Sequence, residues 1–504
     1  MPSVPLADAE APLVLALDLG TSSVRAVAFD RHGRALEGTE EQLPYQLETS
    51  ADGGVTVDPQ LLIDLIGRCV DGVLDRIGQR ANELRGVGTS CFWHSLLGVD
   101  RAGDPVTPVL MWADTRSATA AAELRGEVDE TAIHRRTGCR IHASYWPAKL
   151  RWLAATRPDE VRRVVRWVSL AEYAALQLHG EATVSPSMAS GTGLMDVHQV
   201  SWDAPLLDIL ELSSDHLSPI DTNDTGVHLR AEPGRRWPPL AELPWFNALG
   251  DGACANAGSG AIGPGRIALT MGTSGAMRLV LPTTEQLPLE VPPDLWAYRL
   301  DTNRAVLGGA LSNGGNLLRW MRELLAVPVD GSQMEAAAAL SPDDHGLTVL
   351  PFIAGERSPG WHDYATGLVA GLTTSTGSEH LLRATMEAIA YRFARINDAL
   401  APLVTTHHEI VANGGAILGS GPWQQIIADV LEHDLLVLPP DDEASARGAA
   451  LTTLVALGTA PNLAALPDPA AGATLIHANP TARLAYRAAR DRQQRLEALL
   501  YPPR

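Results

Sequence analysis

Two short loops of glycine and hydroxyl residues are the clearest chemical feature of this sequence. They read Gly20-Thr21-Ser22-Ser23 and Gly272-Thr273-Ser274-Gly275. Each lies between two strand-like apolar runs, so each is predicted to be a tight hairpin turn. Such turns present backbone N–H groups and short O–H donors with little side-chain bulk, which suits phosphate oxygens. Two of them at equivalent places indicate a clamp that holds a polyphosphate from both sides.

Two aspartates stand where a metal ion or a reactant could meet them. Asp18 ends a buried strand directly before the first loop, and a carboxylate there is costly unless it meets a cation. A hydrated Mg²⁺ that bridges polyphosphate oxygens is the natural partner, and an Asx-type turn cap is the alternative. Asp251 lies between Gly250 and Gly252, whose small size lets two reactants approach its carboxylate.

Length and charge limit what the protein can be. A chain of 504 residues is too long for one core and predicts at least two domains. Hydrophobic residues make up 45% of it, which is enough for a large core. The net charge of −20 argues against nucleic acid and anionic membrane surfaces as partners. Lys149 is the only lysine beside 38 arginines, and a site that needs a compact ammonium would explain it.

Cysteine usage and the apolar runs predict a reduced, cytoplasmic protein. The four cysteines are widely spaced and form no C-x-x-C pair, so neither a disulfide framework nor a zinc ribbon is expected. Residues 1–12 lack the pattern of a signal peptide and are predicted to be a loose tail. The longest apolar run, residues 448–467, is interrupted by Gly458 and Pro461 and therefore predicts a buried helix and a loop, not a membrane span.

The hydrophobic pattern of the first half predicts the elements that position the first loop. Strands flank this loop, a helix is expected over residues 59–80 behind an Asp58 cap, and a buried strand over residues 84–89. This order is an α/β pattern. The region from about residue 90 to residue 193 is rich in Trp and His and is predicted to form insertions that build a ligand pocket.

The second half repeats the same plan. Strands flank the second loop, a long helix is expected over residues 379–400, and a strand over residues 409–411. A proline-rich stretch at residues 230–245 marks the predicted boundary. The expected domains are therefore residues 13–245 and 246–504, with a cleft between them.

Spaced motifs relate the chain to a known family. In order they are Asp18-Leu19-Gly20-Thr21-Ser22-Ser23, Gly250-Asp251-Gly252, Gly272-Thr273-Ser274 and Asn413-Gly414-Gly415-Ala416. Together they resemble the motifs of the FGGY carbohydrate kinases. The C-terminal signature of that family is met in full between Gly367 and Glu387, whereas Trp146 departs from the N-terminal one. The resemblance implies an α/β fold of the sugar-kinase type, with two actin-like, ribonuclease H-like domains and an interdomain cleft.

The resemblance also implies roles for residues of both halves. Asp251 is expected to be the catalytic base and, with Asp18, a ligand of Mg²⁺. ATP is expected to bind mainly on the second domain, with its phosphates between the two loops. The residues expected to bind ATP are Gly20, Thr21, Ser22, Ser23, Gly272, Thr273, Ser274, Gly315, Gly414, Gly415, Ala416 and Gly419.

The substrate is expected on the insertions of the first domain, where polar groups and flat apolar faces suit a polyol. The residues expected to contact it are His94, Ser95, Trp112, Asp114, Arg116, Ser144, Tyr145, Lys149, Asp251 and Asn313. A substrate carboxylate could be held by Lys149, Arg116 or Asn313, and the sequence does not choose among them. Two alternatives stay open: an ion pair of Arg116 with Asp114, and core packing for Trp112. Glu356 and Arg357 are expected to form a structural pair.

Three segments look most like those of gluconate kinases: Trp93 to Leu97, Gly250 to Asn256 and Ser312 to Asn316. The leading interpretation is therefore an ATP-dependent kinase for a sugar acid, D-gluconate, yielding 6-phosphogluconate. The alternatives are a kinase for xylulose, ribulose, glycerol or another polyol, and a non-catalytic actin-like protein that binds ATP or a sugar. A homodimer is a further expectation.

Overall fold

The structure is a computed structural model that describes residues 3–223, 225–284, 289–327, 332–439 and 444–502. Two seven-stranded sheets, one in each half of the chain, form its centre.

The first half of the chain contains the first sheet and the insertions between its strands. The strands are β1 (Ser3–Val4), β2 (Leu13–Leu19), β3 (Ser23–Phe29), β4 (Ala35–Leu36), β5 (Glu41–Pro44), β6 (Glu48–Thr49), β7 (Val55–Val57), β8 (Leu84–Cys91), β9 (Leu97–Val99), β10 (Val109–Leu110), β11 (Arg166–Val168), β12 (Met195–Asp196), β13 (Ser201–Trp202) and β14 (Leu249–Gly250). The helices are α1 (Pro59–Ile77), α2 (Ala118–Glu127), α3 (Glu130–Thr137), α4 (Trp146–Thr156), α5 (Pro158–Val161), α6 (Leu170–His179), α7 (Pro186–Ser190), α8 (Ala204–Ile209), α9 (Ala231–Arg236) and α10 (Asp251–Gly258).

The second half contains the second sheet and the helices that pack on it. Its strands are β15 (Arg266–Met271), β16 (Gly275–Pro282), β17 (Trp296–Arg299), β18 (Arg304–Leu311), β19 (Thr348–Leu350), β20 (Leu368–Ala370), β21 (Glu409–Asn413), β22 (Leu435–Val437) and β23 (Thr474–Ile476). Its helices are α11 (Gly315–Leu324), α12 (Ser332–Ala339), α13 (Ser378–Leu400), α14 (Gly415–Leu418), α15 (Gly421–Leu431), α16 (Ala444–Ala456) and α17 (Arg483–Leu500).

The two sheets share one plan. The first sheet has the order β1-β4-β3-β2-β8-β14, with β5 paired to β3, and the second has the order β17-β18-β16-β15-β21-β22-β23. In the first, β2 is antiparallel to β3 and parallel to β8. In the second, β15 is antiparallel to β16 and parallel to β21. The repeated α/β unit predicted from the sequence is confirmed, and it puts both glycine loops at equivalent hairpins.

Helices cover the faces of both sheets. Helix α1 packs on β3, and α13 packs on β16 and β18. The predicted Asp58 cap is present, since its side chain accepts a hydrogen bond from the Gln60 N–H at 3.0 Å. Helix α1 ends at Ile77, earlier than the predicted residue 80, because Gly78 takes a positive φ of 52° and opens a short 3-10 segment.

Two predicted boundaries differ from the structure. Within residues 3–12, the expected loose tail is instead attached: β1 pairs in parallel with β4, and Arg80 donates to the Ala9 carbonyl oxygen at 2.8 Å. Met1 and Pro2 of that tail lie outside the described residues. The first sheet also continues past the predicted boundary at residue 245, because β14 pairs with β8, Gly250 opposite Cys91.

The two halves of the chain also pack against each other through helix α16. Helix α16 belongs to the second half in sequence, but it packs on β2 and β8 of the first sheet. It also packs along α10, which begins with Asp251. Among the described helices, none is long and apolar enough to cross a membrane.

Candidate active site

A cavity of about 260 Å³ lies between the two halves. Its walls come from both sheets and from the segments that connect their strands. The lining residues on which the argument depends are Thr21, Trp93, His94, Trp112, Asp251, Gly272, Ser274, Arg278, Trp296, Tyr298 and Arg357. The structure therefore brings residues of both predicted phosphate loops together with Asp251 and part of the predicted sugar site.

Both loops are held by hydrogen bonds behind them. In the first loop, the Gly20 N–H donates to the Ser23 carbonyl oxygen at 3.0 Å, and the Tyr45 hydroxyl donates to the Gly20 carbonyl oxygen at 2.7 Å. Thr21 faces the cavity and Ser22 is exposed, whereas the Ser23 hydroxyl accepts a hydrogen bond from Gln42. These contacts fix the turn from one side and leave its tip free for a ligand.

The second loop is tied to the residues expected to bind the nucleotide. The N–H of Gly315, at the start of α11, donates to the Gly272 carbonyl oxygen at 2.9 Å. A Cβ added at Gly315 would lie 2.6 Å from that oxygen and 2.8 Å from the Cβ of Ala416. Gly414 has a φ of 99°, a conformation that favours glycine. Gly415 begins α14 and Gly419 follows it. The second loop, Gly315 and Ala416 therefore lie against one another.

Asp251 is presented by a strand that turns directly into a helix. It is the first residue of α10 and follows β14, and its side chain accepts a hydrogen bond from the Gly252 N–H at 2.7 Å. The carboxyl is partly exposed in the cavity. Burial raises its pKa, and the nearby charge of Arg278 acts in the opposite direction. A carboxylate of this kind can accept a proton from an alcohol that is held in the cavity.

The glycines on either side of Asp251 make room for Trp93. A Cβ added at Gly250 would lie 1.8 Å from the Trp93 ring, and one at Gly252 would lie 2.5 Å from it. The indole N–H donates to the Ser187 carbonyl oxygen at 2.9 Å. Trp93 thus packs over the turn that carries the aspartate while it also forms part of the cavity wall.

Asp18 shares this end of the first sheet with Asp251. Asp18 is opposite Ser90 on β8, while Gly250, the residue before Asp251, is opposite the adjacent Cys91. The charges of both aspartates raise the pKa of the Cys91 thiol, in addition to the effect of its burial. Two carboxylates in one neighbourhood are the oxygen ligands that Mg²⁺ prefers, so these residues fit the predicted metal role.

His94 lies in the cavity wall with a strained backbone and a defined tautomer. Its φ is 70°, which is uncommon for a residue with a side chain. Its Nδ1 is 2.5 Å from the Gly191 carbonyl oxygen, an acceptor, so Nδ1 carries the proton. Nε2 is then free to accept a hydrogen bond from Arg357, at 3.3 Å. Burial and the Arg357 charge hold the pKa of His94 well below its usual range, and the ring is neutral.

Arg278 and Arg357 are cavity residues that the sequence prediction missed. The expected pair of Glu356 with Arg357 is wrong, because Glu356 pairs with Arg392 while Arg357 reaches across to His94. The guanidinium of Arg357 also lies over the Trp112 ring, 5.7 Å from its centre. The sequence could have indicated Arg278. Residues i, i+2 and i+4 of an extended chain lie on one face, and Ser274, four residues before Arg278, was already predicted to bind phosphate.

Three of the predicted substrate residues instead hold the loops of the site. The ammonium of Lys149 donates to the carbonyl oxygens of His94 and Met111, at 2.8 and 2.9 Å. Asn313 donates to the Gly355 carbonyl oxygen at 3.0 Å and accepts from the Ala354 N–H at 3.2 Å. The Ser95 hydroxyl accepts from the N–H of Leu170, at the start of α6.

Four further predicted residues lie behind the cavity wall. Arg116 makes an ion pair with Asp114 at 2.5 Å, which is the structural alternative that the sequence left open. The Tyr145 hydroxyl is 2.6 Å from that of Tyr298, and its ring meets the edge of His94. Ser144 is buried and donates its N–H to a ring nitrogen of His142. None of these four belongs to the described lining of the cavity.

Lys149 is expected to matter for stability and for the shape of the site. We expect Lys149→Met to lower the free energy of unfolding by about 2–6 kcal/mol, since each buried carbonyl left without a donor costs about 1–3 kcal/mol. It should also lower kcat/KM, because one released carbonyl belongs to His94 and the other directly precedes Trp112. Urea unfolding and steady-state kinetics measure both. Arg151→Met on the same helix, whose exposed ion pair with Glu127 is worth about 0–1 kcal/mol, is the control. Equal stability of the two variants would contradict this role.

Comparison with known proteins places this site in a family. The model for the N-terminal domain of the FGGY family of carbohydrate kinases matches residues 13–258, and the model for its C-terminal domain matches residues 267–457. The chain belongs to the FGGY family of carbohydrate kinases. The predicted family and the predicted two-domain α/β fold are thereby confirmed.

Relatives within this FGGY kinase family carry different substrate names. A gluconokinase of Bacillus subtilis is 30% identical over 475 residues, which are 90% of each chain. A glycerol kinase of Gloeobacter violaceus is 31% identical over 467 residues, which are 88% of each chain. A crystal structure of a ligand-bound xylulose kinase from Lactobacillus acidophilus superposes with a TM-score of 0.88 at 23% identity, covering 97% of this chain and 98% of that one. The last comparison supports the fold alone.

Proposed function

We propose that this carbohydrate kinase transfers the terminal phosphoryl group of ATP to a hydroxyl of D-gluconate and yields 6-phosphogluconate. The observation that supports a kinase reaction most directly is the position of Asp251, in one cavity with Thr21 of the first loop and Ser274 of the second. Phosphoryl transfer needs a neutralised polyphosphate, an aligned hydroxyl and little water, and this cavity can supply each of them.

Different residues of the cavity have different roles in this reaction. Backbone N–H groups and hydroxyls of the two loops bind the phosphate oxygens, which places the reacting phosphorus between the domains. Asp251 orients the acceptor hydroxyl and takes its proton as the new bond forms. Trp93 and Trp112 limit the access of water to the cavity.

Asp18 and Asp251 would hold Mg²⁺. The fit rests on the donor set, two carboxylates at one end of the first sheet whose charges reach the same buried thiol. When bound, this ion neutralises charge on the polyphosphate. The protein supplies the fixed oxygen ligands and the surrounding walls.

Two features support gluconate within the family. Curated gluconokinases are among the relatives that align over most of the chain, although glycerol kinases of similar identity are present as well. The cavity also carries the guanidinium groups of Arg278 and Arg357, which suit an anionic substrate better than a neutral one.

A substrate panel tests the proposal. We expect ATP consumption with D-gluconate, and much less with xylulose, ribulose or glycerol, in a coupled assay at equal concentrations. EDTA should abolish turnover and excess Mg²⁺ should restore it. Turnover with a neutral sugar alone would contradict the gluconate assignment while leaving the kinase assignment intact. Nucleotide binding without turnover of any sugar would favour a non-catalytic ATP-binding protein.

A further inference from the structure

Two guanidinium groups from different parts of the second domain point into the same cavity. Arg278 stands on β16. Its side chain is on the same face of the strand as that of Ala276, two residues earlier, and both residues line the cavity together with Ser274 of the second loop. Arg357 stands on the segment between β19 and β20. The segment is held by Asn313, whose side-chain amide hydrogen-bonds to the backbone of Ala354 and Gly355. Asn313 therefore fixes the backbone next to Arg357 before any ligand arrives.

Within the described part of the chain, neither cation makes an ion pair with a carboxylate, and Asp251 acts on Arg278 only through its nearby charge. Among the described residues, Arg278 makes a side-chain hydrogen bond to the Thr270 hydroxyl at 3.3 Å, and Arg357 makes one to the neutral ring of His94. The Nε of Arg357 is buried without a partner in that part of the chain. Burial and the charge of Arg357 both lower the pKa of Arg278, with Asp251 as the opposing charge. The two guanidinium groups outnumber the single Asp251 carboxylate in this cavity, so an anionic ligand would balance the remaining positive charge.

A third donor lines the same cavity. Trp296 is only 2% exposed, and its indole N–H is buried without a partner among the described residues. Its ring stacks on that of Tyr298 at 4.2 Å, which fixes the direction of the N–H. The cavity thus offers several N–H donors and two positive charges on the second-domain side, while Asp251 supplies the negative charge.

From this arrangement we infer that Arg278 and Arg357 form a carboxylate subsite, which makes the enzyme select aldonates, sugar acids with an open chain, over the neutral alditols of the same length. The guanidinium fork matches the two oxygens of a carboxylate. Arg278 stands beside Gly252, where an added Cβ would lie 2.8 Å from its Nε, and Arg357 contacts His94 and the Trp112 ring. The inference rests on the proposed function in that it places the sugar in this cavity.

The test compares D-gluconate with D-glucitol, which carries a hydroxymethyl group in place of the carboxylate. We expect the wild-type enzyme to favour gluconate in kcat/KM by about 100-fold or more. Arg278→Gln and Arg357→Gln should each lower that ratio about 10- to 100-fold, which is the range for one charge-assisted contact. Arg101→Gln, an exposed arginine in the turn after β9, is the matched control and should keep the wild-type ratio.

Direct binding separates this inference from the proposed reaction. Calorimetry in the Asp251→Asn background measures gluconate affinity without turnover, and each arginine substitution should weaken it at least about tenfold. Gluconate bound through the arginines but never phosphorylated would support the subsite and contradict the proposed function. Gluconate phosphorylated with an unchanged gluconate-to-glucitol ratio in both variants would overturn the subsite alone. A rise in KM for ATP as large as that for gluconate would also overturn it, because the arginines would then serve the nucleotide.

Discussion

Replacing Asp251 by asparagine is expected to lower kcat about 1000-fold while ATP binding is retained. Asparagine keeps the size of the side chain and its place at the start of α10, but it cannot accept the proton of the substrate hydroxyl. A positioned general base contributes about 10²–10⁴-fold to a rate, so the loss of this one group accounts for the expected effect. Single-turnover kinetics with saturating gluconate measure the chemical step, and calorimetry with a non-hydrolysable ATP analogue measures nucleotide affinity.

The matched control for this variant is Asp215→Asn, an exposed aspartate in a short 3-10 segment of the first half. It removes the same charge from the molecule without touching the cavity, so its turnover should equal that of the wild type. If Asp251→Asn stays within about tenfold of the wild-type rate, Asp251 is not the base, since a tenfold loss is below the usual contribution of such a group. Loss of folding would show in the circular dichroism spectrum and would be separated from loss of chemistry.

Most of the framework could be predicted because it depends on local patterns. The hairpins β2–β3 and β15–β16 follow from apolar runs that a glycine loop interrupts. The predicted helix at residues 379–400 is α13, with one residue more at its start, because its apolar positions repeat at helical spacing. The tail was mispredicted since its strand has only two residues and its order comes from partners elsewhere, β4 and Arg80.

Several predicted site residues reach one cavity because they lie next to turns of the fold. Thr21 and Ser274 lie in the turns between paired strands, and Asp251 begins α10, so the strand topology brings all three to one cavity. Lys149 was assigned to the substrate because it is the only lysine, yet sequence gives no means to tell a ligand from a residue that holds two backbone carbonyls. Arg357 was assigned to its neighbour Glu356, and only the three-dimensional structure shows that the two side chains diverge.

The position of α10, the helix that begins with Asp251, is constrained where it crosses α16. A Cβ added at Gly448 of α16 would lie 1.9 Å from the Cys254 carbonyl oxygen of α10, and one at Gly258 would lie 1.9 Å from the Ala444 carbonyl oxygen. At both positions the neighbour is backbone, which cannot move aside as a flexible side chain can. The crossing thus sets the position of α10 against the first sheet, on which α16 also packs. The placement of the proposed base therefore depends on two glycines that lie outside the described lining of the cavity.

Gly448→Ala is accordingly expected to lower the melting temperature and to reduce kcat/KM about 100-fold. Overpacking typically costs about 1–3 kcal/mol, and a displacement of about 1 Å at a reacting group can cost about 100-fold in rate. Differential scanning fluorimetry and steady-state kinetics on the folded protein measure the two effects. Gly126→Ala in α2, where nothing lies within 4 Å of an added Cβ, is the control and should gain up to about 1 kcal/mol in stability with unchanged turnover. Wild-type kinetics in Gly448→Ala would mean that α10 tolerates movement at this crossing, and the close approach of the two helices would then have no role in positioning Asp251.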